Sequence, residues 1–447
     1  MRAVVPTDGL ALREDTVFAP GVYHLPRGIT IAADGVTLDG NGAVLVGSRR
    51  QGQGIRVEGR SGVTVTNTRL RDYYHGIYAR GGRSLTLTHN QITATVELAP
   101  NSVFLDIWRG PDEAYGGAIF LWEVTDSLIA ENDLQHQQSG LLTYLCARLT
   151  VRENQASYNS GVGLHLYGTC DSLFEANSVD YCCRFEPRPG ERHFGHMGAD
   201  AAGVVAVRGA CRNVFRRNTA RLGGDGFFLA GLAPDGQALG CDDNLFEEND
   251  GSLSPNIAFE ATFCRGNVFR DNYADRSNYG FWLGFSWDTV VENNRIALNR
   301  QAGVAVENGH GFIVRGNSFR GNGHGLLIWT RPAPRLTARF PAHETSYRWT
   351  VEGNVFTGNG TGVRIAADQD HGVRALPAEE SGQPATRPRD HVLRENDIQD
   401  NRVGIELVHA DGTVVEGNLL HGNVEANLRQ EDARDTVARD NPEAPGA

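Results

Sequence analysis

One phrase recurs along this chain and limits what it can fold into. A glycine opens an alternation of apolar and other residues, an aliphatic residue or Phe follows about eight positions on, and an Asn stands three further. Gly163-Leu164-His165-Leu166 leads to Phe174 and Asn177, and Gly280-Phe281-Trp282-Leu283 leads to Val291 and Asn294. Gly303-Val304-Ala305-Val306 leads to Val314 and Asn317, and Gly404-Ile405-Glu406-Leu407 leads to Val415 and Asn418. A unit of about 22–23 residues is too short to bury its own apolar face, so the copies must stack as a solenoid. Period-2 alternation, no long run of helical period and 54 glycines predict an all-β, turn-rich chain.

The Asn recurs as Asn41, Asn90, Asn132, Asn154, Asn177, Asn218, Asn249, Asn272, Asn294, Asn317, Asn354, Asn396 and Asn418, with Thr68 in one slot. One residue type at one phase predicts an internal ladder, each amide bonding to the next coil across the ~4.8 Å strand spacing. Asp126, Asp171, Asp243, Asp288 and Asp390 all stand six before a ladder Asn. That shared phase marks them as turn formers rather than catalytic acids.

The pattern Gly-Ile-x-Leu…Val-x-x-Asn, as in Gly54-Ile55-Arg56-Val57…Val65, resembles the right-handed parallel β-helix superfamily of pectate lyases, polygalacturonases, alginate epimerases and NosD-like periplasmic proteins. The resemblance covers residues from about 15 to 441. It implies a single-stranded right-handed parallel β-helix of about fourteen coils over residues 31–441. An N-terminal cap over 1–30 is expected to block the open strand edge, and 442–447 to form a disordered tail. Many chemistries share this coil, so the resemblance speaks to architecture more than to activity.

The net charge is −12, which argues against nucleic acid as a partner, because neutralising phosphates needs a basic face. All 42 basic residues are Arg, so lysine nucleophiles and Schiff bases are excluded. No apolar run reaches the length of a signal peptide or a membrane span, so the chain as given is expected in the cytoplasm, or secreted if a leader was removed. A monomer or small homo-oligomer without a membrane partner is expected. Seven cysteines leave at least one thiol unpaired. Cys170 and Cys211 share a repeat position on successive coils and are expected as stacked small residues rather than a disulfide. His193-x-x-His196 near Cys182-Cys183 is a single tight pair, so neither a metal nor a cofactor is expected.

Five insertions interrupt the coils, near 96–116, 182–200, 231–242, 330–347 and 367–389. Two precede the glycine-marked strand and three follow it, so they line both edges of one sheet and predict a groove. Counting from the glycine as zero, positions one and three are apolar and should face inward, leaving two and four outward. The outward columns run through Tyr78, Phe120, His165, Phe228, Glu260 and Trp282, and through Arg80, Trp122, Tyr144, Tyr167, Arg208, Glu307 and Trp329. Rings in a strip that should face water mark a binding surface. Sugar C–H faces stack on aromatic rings while sugar hydroxyls need charged partners. Trp122, Tyr144, His165, Tyr167, Arg208, Phe228, Trp282 and Trp329 are therefore the expected carbohydrate-binding residues.

Glu260 falls between Phe228 and Trp282 in its column, where apolar walls would raise its pKa as a general acid requires. Glu307, two coils on, Asp225 in Gly223-Gly224-Asp225-Gly226, and Asp200 are its expected partners. The placement of Asp200 and Asp225 on neighbouring coils is similar to the catalytic aspartates of polygalacturonases, although the Asn-Thr-Asp and Asp-Asp motifs of that family are missing. The leading expectation is a glycoside hydrolase acting through groove carboxylates. The alternatives are a lyase or C5-epimerase acting on a uronate, whose Asp-Pro-His-Asp epimerase signature is absent here, and a non-catalytic glycan-binding solenoid.

Overall fold

The computed structural model describes residues 3–97, 105–187, 194–196, 201–367 and 386–442. The chain divides into two compact units, one of residues 1–228 with 233–244 and the other of 229–232 with 245–447. Both units are built from the same coil.

In unit 1, one turn runs through Gln53–Glu58 in sheet A, Thr64–Thr66 in sheet B and Arg69–Arg71 in sheet C. The next turn repeats it in parallel and in register, with Ile77 beside Ile55, Leu87 beside Val65 and Ile92 beside Leu70. Unit 2 does the same from Ala302–Glu307 onward, with Val304 beside Leu326, Val314 beside Val351 and Phe319 beside Phe356. In-register stacking places like on like, so each core is a set of columns. Ile55, Val65, Leu70, Ile77, Leu87 and Ile92 are all buried, and burial of each such side chain contributes about 1.5–3 kcal/mol. The rings of Phe319 and Phe356 stack at 4.5 Å. No helix among the described residues is long and apolar enough to cross a membrane.

The Asn ladder forms as expected from its phase. Asn132 Nδ2 donates to Asn154 Oδ1 and to Leu87 O, each at 2.9 Å, while its Oδ1 accepts from the backbone and side-chain nitrogens of Asn90 at 3.0 Å. Thr68 fills its slot through a 2.7 Å bond from Oγ1 to Asn90 Oδ1. Asn41 does not belong: Gly40 stands against Thr68, and Asn41 is exposed one residue beyond, with φ of 45°. Unit 2 carries a second ladder that the sequence reading missed. Asn299, Asn322, Asn359, Asn401 and Asn423 join amide to amide at 2.9–3.0 Å. The excluded turn aspartates, Asp126, Asp171, Asp243, Asp288 and Asp390, all take left-handed φ values of 50–60°.

Among the described residues, turns beyond the about fourteen coils expected stand at the two ends of the chain. The additional turns lack the glycine phrase. Ala11–Leu12, Thr16–Val17 and Val22–His24 pair in parallel with the turn that follows, so the first coil begins inside the segment expected to be a cap. At the other end, Ala426–Glu431 and Val437–Arg439 extend their sheets with exposed, polar strands.

The outward face has three columns rather than two. A Cβ on Gly76 would lie 2.3 Å from Ile92 Cγ2 and 2.8 Å from Ala118 O, and one on Gly303 would lie 2.8 Å from Ile296 Cγ2. The glycine therefore turns into the interior at the corner, together with the residue after it. The residue before it swings outward, so His75 meets Phe120 at 4.8 Å and Tyr279 meets Trp282 at 4.9 Å.

Candidate functional site

In unit 1, the strands His75–Arg80, Gly117–Trp122, Ser139–Tyr144 and Val162–Tyr167 lie side by side. Their register aligns Tyr78, Phe120, Leu142 and His165 in one row, and Arg80, Trp122, Tyr144 and Tyr167 in the next. The rings pack along the row: Tyr78 on Phe120 at 5.1 Å, Phe120 on Tyr144 at 5.3 Å and Tyr144 on Tyr167 at 5.2 Å.

Much of this expected binding strip is a second core. Tyr144 and His165 are only 2% and 4% exposed. The insertion covers them: His165 Nε2 donates to Ile107 O at 2.9 Å, Tyr74 Oη donates to Ala114 O at 3.0 Å, and Ala114 packs into the ring cluster. Burial holds the His165 imidazole neutral, its pKa pushed down to about 4. These two residues are corrected from sugar ligands to packing residues. In-register rings only a strand spacing apart already stack on one another, and the insertion removes the remaining water. Tyr167 stays half-buried against the same cluster.

Arg208 is also reassigned. Its guanidinium pairs with Asp235 at 2.8 Å and donates to Gln237 Oε1 at 2.9 Å, so it latches the 231–242 insertion to the coil. Asp225 and Phe228 are buried, and Asp200 lies outside the described residues.

The strip opens where the insertion ends, towards Gln53–Glu58. A cleft of about 420 Å³ is lined by Gln53, Arg56, Tyr74, His75, Tyr78, Arg80, Asp112, Phe120 and Trp122. The Arg80 guanidinium lies 3.7 Å from the Trp122 ring centroid, and Arg56 Nε donates to Gln53 Oε1 at 2.7 Å. Trp122 Nε1 and His75 Nδ1 are both buried without a hydrogen-bond partner. A buried polar atom left unpaired costs about 1–3 kcal/mol. Burial alone pushes His75 down to about 3, which leaves a neutral imidazole. The Tyr78 phenol is pushed up by burial and by Glu58, with Arg80 and Arg56 opposing. Of the residues expected from sequence, Trp122 is the one in this cleft. His75 was missed because the frame was counted from the glycine; the polar or aromatic residue before that glycine, as in His75, Asp225, Tyr279 and His324, was the available signal.

In unit 2, Glu260 pairs in register with Trp282, and both are half-buried on the outward face. Trp282 packs edge-on against Trp329 at 5.4 Å, and Trp329 is 2% exposed, so it is a packing residue rather than an open platform. Glu307 is buried, and its Oε2 accepts from Arg331 Nε at 2.8 Å. A buried carboxylate fixed to a guanidinium is poorly suited to exchange protons, which corrects its expected acid/base role. Two strand spacings and two residues separate Glu260 from Glu307, roughly 12 Å at Cα. Arg364 pairs with Glu406, which also accepts from Arg429 at 3.2 Å. Among the described residues, no cluster of three His, Cys, Asp or Glu side chains could hold a metal ion.

Parallel three-sheet coils, glycine corners and asparagine ladders define a parallel β-helix. The sequence model of the right-handed β-helix region matches residues 25–220, 101–254 and 199–339, and the chain belongs to that family. No curated protein sequence matches the chain. Similar solved structures include the A-module of the mannuronan C-5 epimerase AlgE6 of Azotobacter vinelandii, at 15% identity over 97% of this chain and 92% of that one, with a TM-score of 0.41. The pre-mature gene product 12 of bacteriophage phi29 is 9% identical over 95% of this chain and 53% of that one, with a TM-score of 0.45. The GH136 lacto-N-biosidase of Eubacterium ramulus is 11% identical over 92% of this chain and 62% of that one, with a TM-score of 0.39.

Proposed function

We propose that this protein is a carbohydrate-active β-helix protein that takes an acidic saccharide in the unit 1 cleft. The reading rests on one observation: Arg56 and Arg80 line a cleft whose wall also carries the rings of Tyr78 and Trp122. A uronate matches each of these groups. Its carboxylate meets the guanidiniums, and its C–H face lies against Tyr78. Neither Arg56 nor Arg80 is committed to a carboxylate, in contrast to Arg208, Arg331 and Arg364.

Among reactions, removal of the proton α to the uronate carboxyl suits this cleft best. Charge develops on the carboxylate in that step, and fixed cations beside it lower the barrier. Tyr74, Tyr78 and His75 are the groups within reach for proton transfer, and an incoming anion would raise the basicity of His75. Of the acids expected for hydrolysis, Glu307 is held in an ion pair and Asp225 is buried. Hydrolysis remains a second reading on the strength of Glu260, half-buried beside Trp282.

A panel of uronate-containing and neutral oligosaccharides separates the readings. An ultraviolet-absorbing unsaturated product or an epimerised sugar, lost in Arg80→Gln, is the expected result. New reducing ends without unsaturation, lost in Glu260→Gln at an unchanged melting temperature, would replace it with hydrolysis. Saturable binding with no turnover in any fraction would leave a glycan-binding solenoid.

A further inference from the structure

Cys170 and Cys211 occupy the same corner of successive coils of unit 1, 41 residues apart in sequence. The Cys211 N–H points at Cys170 Sγ at 3.4 Å, and the Asp242 N–H points at Cys211 Sγ at 3.3 Å. Each thiol also has a carbonyl to donate to, Gly209 O at 3.2 Å for Cys170 and Gly240 O at 3.1 Å for Cys211. Both residues are half-exposed, whereas Cys146, Cys182, Cys241 and Cys264 are buried and Cys183 is exposed without such contacts.

A backbone N–H directed at sulfur favours the thiolate, the form that reacts. The thiol of Cys211, within reach of Cys170, draws the Cys170 pKa down to about 6, with Arg212 adding to the effect, and the Cys211 pKa rises in consequence. Each sulfur receives one N–H, so one can ionise while the other stays protonated beside it. Adjacent coils set their Cα atoms about 4.8 Å apart, inside the ~4.4–6.8 Å window for a disulfide.

We propose that Cys170 and Cys211 form a peroxide-reactive thiol pair that closes to a disulfide joining two coils of unit 1. The Cys170 thiolate attacks the peroxide O–O bond, forming an S–O bond and releasing hydroxide. The Cys211 sulfur then displaces the sulfenic hydroxyl as water, and the S–S bond forms. Two thiols are oxidised, and one hydrogen peroxide is reduced to two waters. The bond would tie the two coils on either side of the 182–200 insertion.

The test treats the whole reduced protein with a stoichiometric amount of hydrogen peroxide, alkylates it in denaturant and maps the peptides by mass spectrometry. A Cys170–Cys211 cross-linked peptide, lighter by two hydrogens and reversed by dithiothreitol, is expected, with the four buried cysteines recovered alkylated. In Cys211→Ser, Cys170 should accumulate as a sulfenic acid trapped by dimedone. Recovery of both residues as alkylated thiols while Cys183 is oxidised would overturn the proposal. So would a cross-link to Cys183 in place of Cys211, and a Cys183→Ser variant that loses the cross-link would show it.

Discussion

The Arg80 guanidinium lies over the indole of Trp122, 3.7 Å from the ring centroid, and both side chains line the cleft on the outward face of sheet A in unit 1. The stacking holds a cation in place without neutralising it, because the ring quadrupole attracts the charge but supplies no counter-ion. Arg80 therefore stays available to an anionic ligand.

Trp122→Phe removes the indole N–H and part of the ring beneath the Arg80 guanidinium, whereas Arg80→Gln removes the charge. Each should weaken binding of an acidic oligosaccharide about tenfold, ~1.4 kcal/mol, as measured by titration calorimetry. Arg80→Gln should also flatten the salt dependence of binding, and Trp122→Phe should leave it unchanged. Equal affinity for the neutral and acidic forms of one glycan in the wild-type protein would show that the cleft does not read charge.

The pair Glu307–Arg331 behaves as a buried unit. Glu307→Gln should destabilise the fold by about 1–3 kcal/mol, because it removes the charged acceptor of Arg331 Nε. Replacing both partners, Glu307→Gln with Arg331→Met, should restore part of that loss. Urea midpoints for the two single variants and the double variant supply the coupling; additive effects would mean that the two side chains do not act together.

Three fully buried histidines make the protein sensitive to acid. His75 and His391 are pushed down to about 3 and His165 to about 4, all mainly by burial. Each stays neutral when folded and takes up a proton when unfolded below about pH 6.5. Stability is therefore complete above that pH and falls as the pH drops from about 6.5 towards 3–4, by at most ~1.4 kcal/mol per pH unit for each histidine. His391 stands edge-on to Trp349, which in turn stacks on Phe312 at 4.1 Å. His391→Phe should extend that column, raise the melting temperature at pH 5 more than at pH 8, and reduce the slope between them.

The ladders give a paired test. Asn317 Nδ2 donates to Asn354 Oδ1 at 3.0 Å and to Val291 O at 2.8 Å, and its Oδ1 accepts from Asn294. Asn317→Ala removes the acceptor of the buried Asn294 N–H and the donor to Val291 O and should cost about 2–4 kcal/mol. Asn41→Ala, at an exposed turn with a left-handed φ and one bond to Phe18 O, should cost only about 1 kcal/mol. Comparable losses at both positions would mean that neither burial nor ladder membership sets the cost.

Local periodicity determined the coil, the inward columns and the main Asn ladder, because in-register stacking forces each residue to face its equivalent one repeat away. The second ladder was equally legible: Asn299, Asn322, Asn359, Asn401 and Asn423 each follow a first-ladder Asn by five positions. Only the tertiary structure decided which outward residues meet water. That depends on where an aperiodic insertion lands, so Tyr144 and His165 are sealed beneath Ile107 and Ala114 while Arg80 and Trp122, on the same face, line a cleft. Charge followed the same rule. Whether Glu307 is an acid or half of an ion pair depends on Arg331, which reaches it from the start of another insertion, and no repeat spacing encodes that contact.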